Sequence, residues 1–375
     1  MSQLSYKIFR SKVKPFDSAL QDLFLQIEAL SLTPLRLLLF CKAKTNEEYI
    51  RMRDQAENTC ANHFPTKKPL VAVVAQAPFE AELAIEVTYA NTQITNIAYY
   101  DRHIILDNQV LLTGAIYSSV QDSIGVQSDN IFNQLTTLLS DNGYKINDIV
   151  RQWNYIERIT HISPEGQNYQ QFNDARSRFY AQTEWPGGYP AATGIGTACG
   201  GVVVVVDAIR NSAKYSRAID NPLQISAHAY SQQVLIDSDI TRHKSTPKFE
   251  RAREVNTASS SMVYISGTAA IRGEKSHFSS DALQQLELTM ENIAYLVSPE
   301  NPVNKGYITA DNYSYSTLRI YLKRLSNWPS VKLWITENYT NVETLCVEAD
   351  ICRDELLVEI EGIANKVENN NNQNI

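Results

Sequence analysis

The chain carries an internal repeat, and this repeat constrains its fold more than any other feature of the sequence. An apolar stretch runs into a Ser/Thr-Gly turn twice, as LLTGAI near residue 111 and as YISGTAAI near residue 264. Each turn is followed by a stretch with apolar residues at helical spacing, NIFNQLTTLLSDNGY and DALQQLELTMENIAYLV. Two strand-like segments come next, NDIVRQWNYIERI and STLRIYLKRL. The pattern predicts two copies of one strand–helix–strand unit.

Each predicted copy closes with an apolar strand, GGVVVVVDAIR in the first copy and DELLVEIEGIA in the second. The offset between the copies is nearly constant along the unit. Gly114 and Gly267 are 153 residues apart, and Asp207 and Glu361 are 154 residues apart. Because markers at opposite ends of the unit agree, we interpret the repeat as a tandem duplication.

The duplication predicts an α+β protein of two tandem domains, in which mixed sheets pack against helices. The first domain is expected to span 1–210 and the second 211–366. Residues 1–100 lie outside the repeat and extend the first domain, with strands and a helix-like stretch of their own. The Asn-rich segment 367–375 is expected to be a disordered tail.

Two carboxylates lie two positions apart in the second closing strand. Glu359 and Glu361 share one face of an extended strand, and the neighbours of Glu359 in the sequence are apolar. A carboxylate in such a place is costly unless it is paired, protonated or open to a cleft. The alternative is an edge strand with one face in water.

Alignment of the two copies distinguishes these carboxylates. Asp207 stands opposite Glu361, which suits a structural or surface role for the acid at that position. Val205 stands opposite Glu359, so a glutamate occurs there in one copy only. Since a valine at the equivalent position is compatible with burial, we hypothesise that Glu359 is a functional acid.

Composition excludes several classes of protein. The formal net charge of −7 and the pI of about 5.5 do not suit a non-specific nucleic-acid binder. No apolar stretch reaches 18 residues, so no membrane-spanning helix is predicted, and we expect a cytoplasmic protein. The five cysteines are scattered and the six histidines show no metal-binding spacing, so neither a disulfide framework nor a metal site is predicted.

The Ser-Gly-Thr strand, the amphipathic helix and the closing VEIEGIA strand resemble the RidA/YjgF family of imine deaminases. A closer resemblance is to the chorismatases, which are tandem RidA-like enzymes that act on chorismate. Segments spread over about two-thirds of the chain carry this resemblance in family order: YQQFNDARSRFY, YPAATGIGT, NPLQISAHAYSQQ, PKFERAR, YISGTAAIRGEKSHF and EADICRDELLVEIEG. The resemblance implies two RidA-like, chorismate-mutase-like domains and release of pyruvate from chorismate.

Chorismate is a dianion with an enolpyruvyl ether, and its chemistry makes two demands. The ether needs a proton on its methylene carbon, and Glu359 is expected to supply it, because desolvation raises the pKa of a carboxyl group. The carboxylates need cations, best an arginine fork. Arg178 is the preferred anchor and Arg176 the second choice. These two share a face if their segment is extended but diverge by about 200° on a helix, and for each the alternative is a surface charge.

The resemblance implies further residues of the site. Tyr180 and Tyr230 are expected to line the pocket, although a tyrosine is more often part of a core. The segment TGIGT, with Thr193 and Gly194, is expected to be a glycine turn that faces an anion, or a plain tight turn. The remaining candidates are Cys352, which favours an aromatic product in the family, Ala269, which shapes the ring pocket, and Lys323, which stands where the family usually has arginine.

Two other functions stay open at this point. A RidA-type imine or enamine hydrolase needs an arginine on its closing strands, where this chain has Thr344 and Ala192. A non-catalytic relative would bind a small molecule and release no pyruvate. For an enzyme of the chorismatase type we expect no cofactor, no metal and no nucleic-acid or membrane partner, and either a monomer or a homotrimer. The product is expected to be 3-hydroxybenzoate or a dihydroxycyclohexadiene carboxylate.

Overall fold

Three large β-sheets, each covered by helices, form the described part of the protein, and two small two-stranded sheets accompany them. The computed structural model describes residues 4–91, 94–235, 244–257, 260–278, 280–305 and 313–366. The predicted disordered tail, 367–375, lies outside the described residues. Three helices begin at a capping side chain: Thr45, Ser123 and Asp281 each accept a hydrogen bond from the first turn of the helix that follows.

The first sheet is built from the N-terminal quarter of the chain. Its strands run in the order β1-β4-β2-β3. Its elements are β1 (Leu4–Ser11), α1 (Phe16–Glu28), β2 (Thr33–Cys41), α2 (Asn46–His63), β3 (Leu70–Val74) and β4 (Leu83–Ala90). Buried residues of α1 recur at helical spacing, so this helix packs one apolar face on the sheet.

The second sheet corresponds to the first predicted copy. Its strands run in the order β12-β9-β13-β7-β6-β5, and β8 also pairs with β13. This part of the chain contains β5 (Ile97–Tyr99), β6 (His103–Leu106), β7 (Val110–Thr113), β8 (Ile116–Tyr117), α3 (Ile124–Asp141), β9 (Ile149–Glu157), β10 (Ile162–Ser163), β11 (Gly166–Gln167), α4 (Asn168–Tyr180), β12 (Ala191–Thr197) and β13 (Val202–Ile209). Strands β10 and β11 pair with each other in a separate two-stranded sheet.

The third sheet corresponds to the second predicted copy. Its strands run in the order β14-β15-β16-β21-β19-β20. This part of the chain contains α5 (Ser212–Tyr215), β14 (Ser216–Ile219), β15 (Ala252–Thr257), β16 (Ser260–Ala269), β17 (Ile271–Arg272), β18 (Lys275–Ser276), α6 (Ala282–Leu296), β19 (Tyr313–Leu322), α7 (Trp328–Asn338), β20 (Glu343–Glu348) and β21 (Val358–Lys366). Strands β17 and β18 pair with each other in a separate two-stranded sheet. The boundary predicted after residue 210 falls between β13 and α5.

One connection scheme recurs in all three sheets. Each contains a strand, a helix, a strand, a helix and two further strands. The last strand pairs antiparallel with the first two strands of the scheme, and the third strand pairs parallel with the second. The predicted repeat left residues 1–100 outside, but residues 4–90 form a third unit with this same scheme.

Strand register confirms the predicted alignment of the two later copies. Asp207 on β13 is paired with Arg151 on β9, and Glu361 on β21 is paired with Arg319 on β19. The same alignment puts Val205 at the position of Glu359.

Buried ion pairs join the three units to one another around a common centre. Arg36 of the first unit binds Asp207 of the second at 2.6 Å. Arg151 of the second unit binds Glu361 of the third. Arg319 of the third unit closes the ring on Glu86 of the first, at 2.7 Å, and also contacts Glu361. We name the six side chains of these three pairs the ion ring. Because a buried charge is stable only when it is paired, the ring requires all three units to be in place.

Candidate active site

A cleft lies between the second and third units, where β12 faces β16 and β21. It contains about 750 Å³ of empty space, part of it open to solvent. The residues that line it are Gln167, Tyr169, Gln170, Asn173, Ala192, Gly194, Tyr230, Val234, Leu235, Pro247, Phe249, Arg251, Gly267, Ala269, Ile271, Cys352, Arg353, Leu356 and Glu359. Predicted site residues Glu359, Cys352, Gly194, Tyr230 and Ala269 are therefore brought together.

Glu359 reaches the cleft from β21, and its side chain is nearly enclosed, with 5% of the residue exposed. Burial, followed by repulsion from Glu361, raises the pKa of Glu359 to about 8, although Arg151 and Arg251 act in the opposite direction. At neutral pH the carboxyl group therefore holds a proton. One of its oxygens lies where Gly267 has no side chain: a β-carbon there would be 2.1 Å from it.

Arg251 provides a buried cation on the opposite wall. It precedes β15, and one guanidinium nitrogen donates to the Ile225 carbonyl at 2.7 Å and to the Tyr230 hydroxyl at 2.8 Å. Its Nε is buried and has no hydrogen-bond partner among the described residues. Arg353, half-buried in the loop before β21, also lies over the Tyr230 ring, 5.4 Å from its centroid. Two guanidinium groups and one tyrosine hydroxyl thus face one region of the cleft.

A second polar group comes from α4. Asn173 lines the cleft, and its side-chain oxygen accepts a hydrogen bond from Arg176 at 2.6 Å. The Asn173 amide nitrogen and the Arg176 Nε are both buried without a partner among the described residues. Since a buried donor without a partner is costly, these atoms indicate a place for an anionic or polar ligand. Arg176 lies one turn behind Asn173 and does not itself line the cleft.

Cys352 and Tyr169 form an apolar side of the cleft. Burial, and then the nearby Glu359, raises the pKa of Cys352 to about 12, so the group is a neutral thiol at neutral pH. The Tyr169 ring packs on Gly194, where a β-carbon would lie 3.0 Å from it. The predicted glycine turn at TGIGT is wrong: these residues belong to strand β12, and the glycine allows close packing instead of a bend.

The preference for Arg178 is wrong. Its segment is the helix α4, so Arg176 and Arg178 point to different sides, as the helical alternative required. The Arg178 side chain is 59% exposed and forms an ion pair with Asp129 at 2.8 Å on the outer surface. Tyr180 is also not part of the cleft. It is buried at the end of α4, and its hydroxyl donates to Gln152 at 2.7 Å.

Two other predicted residues lie elsewhere. Thr193 is adjacent to the cleft, but its hydroxyl points to Glu361 and Arg151 behind it. Lys323 follows β19 and lines a different pocket, where it pairs with Asp350 at 2.9 Å. Neither side chain is available to a ligand in the cleft.

Sequence analysis missed Arg251, Arg353, Asn173 and Gly267 as site residues. Arg251 lies in PKFERAR and Arg353 in EADICRDELLVEIEG, two of the segments that carry the family resemblance, but nothing in their local patterns separates them from surface charges. Within the described residues, no group of three or more His, Cys, Asp and Glu side chains is placed to hold a metal ion. No helix in that part of the chain is both long and apolar enough to cross a membrane.

Comparison with known proteins agrees with this architecture. Residues 86–208 match a family model described as "Chorismatase FkbO/Hyg5-like, N-terminal". A crystal structure of a chorismatase superposes with a TM-score of 0.71 at 21% identity and covers 96% of this chain and 98% of that chain. This likeness confirms the predicted fold class.

Curated relatives give the family. The chain is 28% identical over 234 residues to a 3-hydroxybenzoate synthase of Streptomyces hygroscopicus, a match that covers 60% of this chain and just under two-thirds (65%) of that protein. It is 30% identical over 260 residues to a chorismatase of Streptomyces rapamycinicus, which covers 67% of this chain and 69% of the relative. With a shared fold and this extent of sequence identity, the chain belongs to the chorismatase family.

Proposed function

We propose that the protein is a chorismatase, which releases pyruvate from chorismate by protonating the enolpyruvyl ether at the cleft between the second and third units. The observation that carries the proposal is a buried carboxyl group, Glu359, that keeps its proton at neutral pH and faces a cleft with buried cations. The relatives described as chorismatase and 3-hydroxybenzoate synthase support it.

The first step is proton transfer from Glu359 to the methylene carbon of the ether. This transfer forms a carbon–hydrogen bond and leaves an oxocarbenium ion next to the ether oxygen. A positioned general acid contributes typically about 100- to 10,000-fold to the rate. Once Glu359 has lost its proton, its carboxylate lies beside the cation and stabilises it electrostatically.

Two sets of polar groups are suited to the two carboxylates of chorismate. Arg251 and Arg353, with the Tyr230 hydroxyl, form one cationic region. Asn173, oriented by Arg176, offers an unpaired amide donor in another part of the cleft. Ala269 and the aromatic and aliphatic lining are suited to the carbon ring.

The stoichiometry separates the two possible products. Conversion of chorismate to pyruvate and 3-hydroxybenzoate consumes no net water. Conversion to pyruvate and a dihydroxycyclohexadiene carboxylate consumes one water, which adds to the oxocarbenium ion before the ether bond breaks. The neutral Cys352 thiol, next to Glu359, favours the aromatic product in our proposal.

A chorismate assay tests the acid. The purified protein is incubated with chorismate, pyruvate is followed with a coupled dehydrogenase, and the ring product is identified by mass and absorbance. We expect Glu359→Gln to reduce pyruvate release at least about 100-fold while the protein stays folded. Glu355→Gln, a change at an exposed glutamate in the loop before β21, is the matched control and retains turnover. Native turnover in Glu359→Gln contradicts the assignment.

The same assay tests the cation. Arg251→Ala removes a guanidinium that is both buried and hydrogen-bonded to Tyr230, and we expect KM for chorismate to rise at least about 10-fold. Arg178→Ala serves as its control, because that side chain is paired with Asp129 on the outer surface. A large increase in KM for Arg178→Ala, with none for Arg251→Ala, reverses the proposal.

The assay also separates the alternatives. An imine hydrolase of the RidA type is disfavoured because Ala192 brings a methyl group, and no cation, to the cleft wall. A purely binding relative releases no pyruvate. We further propose that the protein acts as a monomer, since one chain contains all three units of the ring. A cytoplasmic location is proposed separately, from the expectation drawn from the sequence.

A further inference from the structure

The Thr193 hydroxyl has no capacity left for a ligand. It donates to the Glu361 carboxylate, and it accepts hydrogen bonds from Arg151 at 2.7 Å and from the Gly267 backbone N–H at 3.0 Å. A hydroxyl group has one donor and two acceptor sites, so all three are occupied. Thr193 therefore joins three parts of the molecule: the ion ring, strand β12 and strand β16.

The Glu359 carboxyl group packs directly against the backbone of Gly267. One Glu359 oxygen occupies the space that a Gly267 side chain would need, and the Thr193 methyl group lies on the same side, 3.0 Å from that position. The backbone of Gly267 is held by Thr193 through its N–H. A shift of this backbone thus shifts the carboxyl group as well.

We propose that Thr193 is a positioning residue, whose hydroxyl ties the buried Arg151–Glu361 pair to the Gly267 backbone and thereby holds the Glu359 carboxyl group in line with the substrate. This inference rests on the proposed function. It assigns to the ion ring a part in catalysis in addition to joining the units. The Arg36–Asp207 pair has no equivalent acid to position, because Val205 occupies the place of Glu359 there.

Several charged or titratable groups face Glu359 from different elements, and each would respond to a shift of the carboxyl group. They are Glu361 on β21 itself, Arg151 on β9, Arg251 before β15, Cys352 in the loop before β21, and Tyr169 on α4. Burial is the main cause of the raised pKa of Glu359. If the Gly267 backbone shifts and water reaches the carboxyl group, this pKa should fall.

The test compares Thr193→Val, which keeps the shape and loses the hydroxyl, with Thr193→Ser, which keeps the hydroxyl. For Thr193→Val we expect kcat for pyruvate release to fall about 10- to 100-fold, the cost of a small misplacement of a reacting group. KM should stay within about twofold, and the pH at which kcat declines should move down by about half a unit or more. Thr193→Ser should recover most of kcat and the native pH profile.

Thr113→Val is the matched control. Thr113 is fully buried, its hydroxyl accepts from Val206 and its carbonyl accepts from Arg36, so it supports the Arg36–Asp207 pair without touching the cleft. We expect Thr113→Val to lower the melting temperature and to leave kcat unchanged.

The outcomes separate this inference from the proposed function. If the native protein releases no pyruvate from chorismate, the proposed function fails. If the native protein is active and Thr193→Val keeps the native kcat and pH profile, the positioning role alone is overturned. A rise in KM with unchanged kcat would also overturn it, since that result indicates direct contact with the substrate. If Thr193→Ser is as impaired as Thr193→Val, the hydroxyl is not the group that matters and the inference is again overturned.

Discussion

Glu359 makes the free energy of unfolding fall as pH rises, whereas a carboxylate in an ion pair makes it increase. Its pKa is about 8 in the folded chain, against an ordinary value of 4.5. Between these values the folded state binds one proton more than the unfolded state, so the free energy of unfolding falls as pH rises and the loss is complete above about pH 8. Glu361 differs, because Arg319 and Arg151 outweigh its burial and hold its pKa below the usual range.

Removal of the titrating group should remove this dependence. We expect the native protein to lose at least about 2 kcal/mol more free energy of unfolding between pH 5 and pH 8.5 than Glu359→Gln does, since each unit of raised pKa corresponds to about 1.4 kcal/mol. Urea denaturation of both proteins at the two pH values measures the difference. Equal losses in the two proteins would mean that Glu359 is ionised in the folded state at neutral pH.

At the scale of elements, the sequence predicted the first strand, the first helix, the strand after that helix and the closing strand of each later unit, because their apolar periodicity is strong. The segment that became α4 was harder. Phe172, Ala175 and Phe179 are buried at helical spacing, but polar residues that serve the site, such as Asn173 and Arg176, are buried between them and mask the pattern. Comparison of the two copies singled out Glu359, whereas Cys352, Gly194, Tyr230 and Ala269 were indicated by the family resemblance.

Gly114 and Gly267 occupy equivalent positions in the second and third units, in the Ser/Thr-Gly segments that precede α3 and α6. A β-carbon at Gly267 would meet the Glu359 carboxyl oxygen at 2.1 Å, whereas one at the equivalent Gly114 would meet the Val71 carbonyl oxygen at 3.1 Å. We therefore expect Gly267→Ala to reduce kcat about 100-fold or more by displacing the acid, with the circular dichroism spectrum unchanged. Gly114→Ala should lower the melting temperature slightly and keep native kcat. Equal kcat in the two variants would show that the carboxyl group is not held against Gly267.

At the scale of the whole molecule, the unit built by residues 4–90 was not recognisable from the sequence. Its closing strand contributes Glu86 to the ion ring, as the other units contribute Asp207 and Glu361. The Ser/Thr-Gly turn and the constant offset of the two later copies are missing from this segment, so the sequence offered no marker of a third copy. The relation lies in strand pairing and in the ion ring, which only the folded chain reveals.

The closed ring predicts the state of association. Because each unit already has its two neighbours within the same chain, we expect light scattering to report one chain of 42.3 kDa, independent of protein concentration over the micromolar range. A mass three times larger would mean that a surface outside the ring joins separate chains.

Val205 in the second unit occupies the position that Glu359 occupies in the third. This difference bears on how mutations act in a chain of three related units. In an assembly of identical subunits, any substitution is copied into every interface, so all sites improve or fail together. Here the three units are separate stretches of one chain, and a mutation enters one cleft alone. One cleft can therefore keep a strained and costly acid for chemistry, while the corresponding position beside Gly114 is filled with valine and contributes only packing.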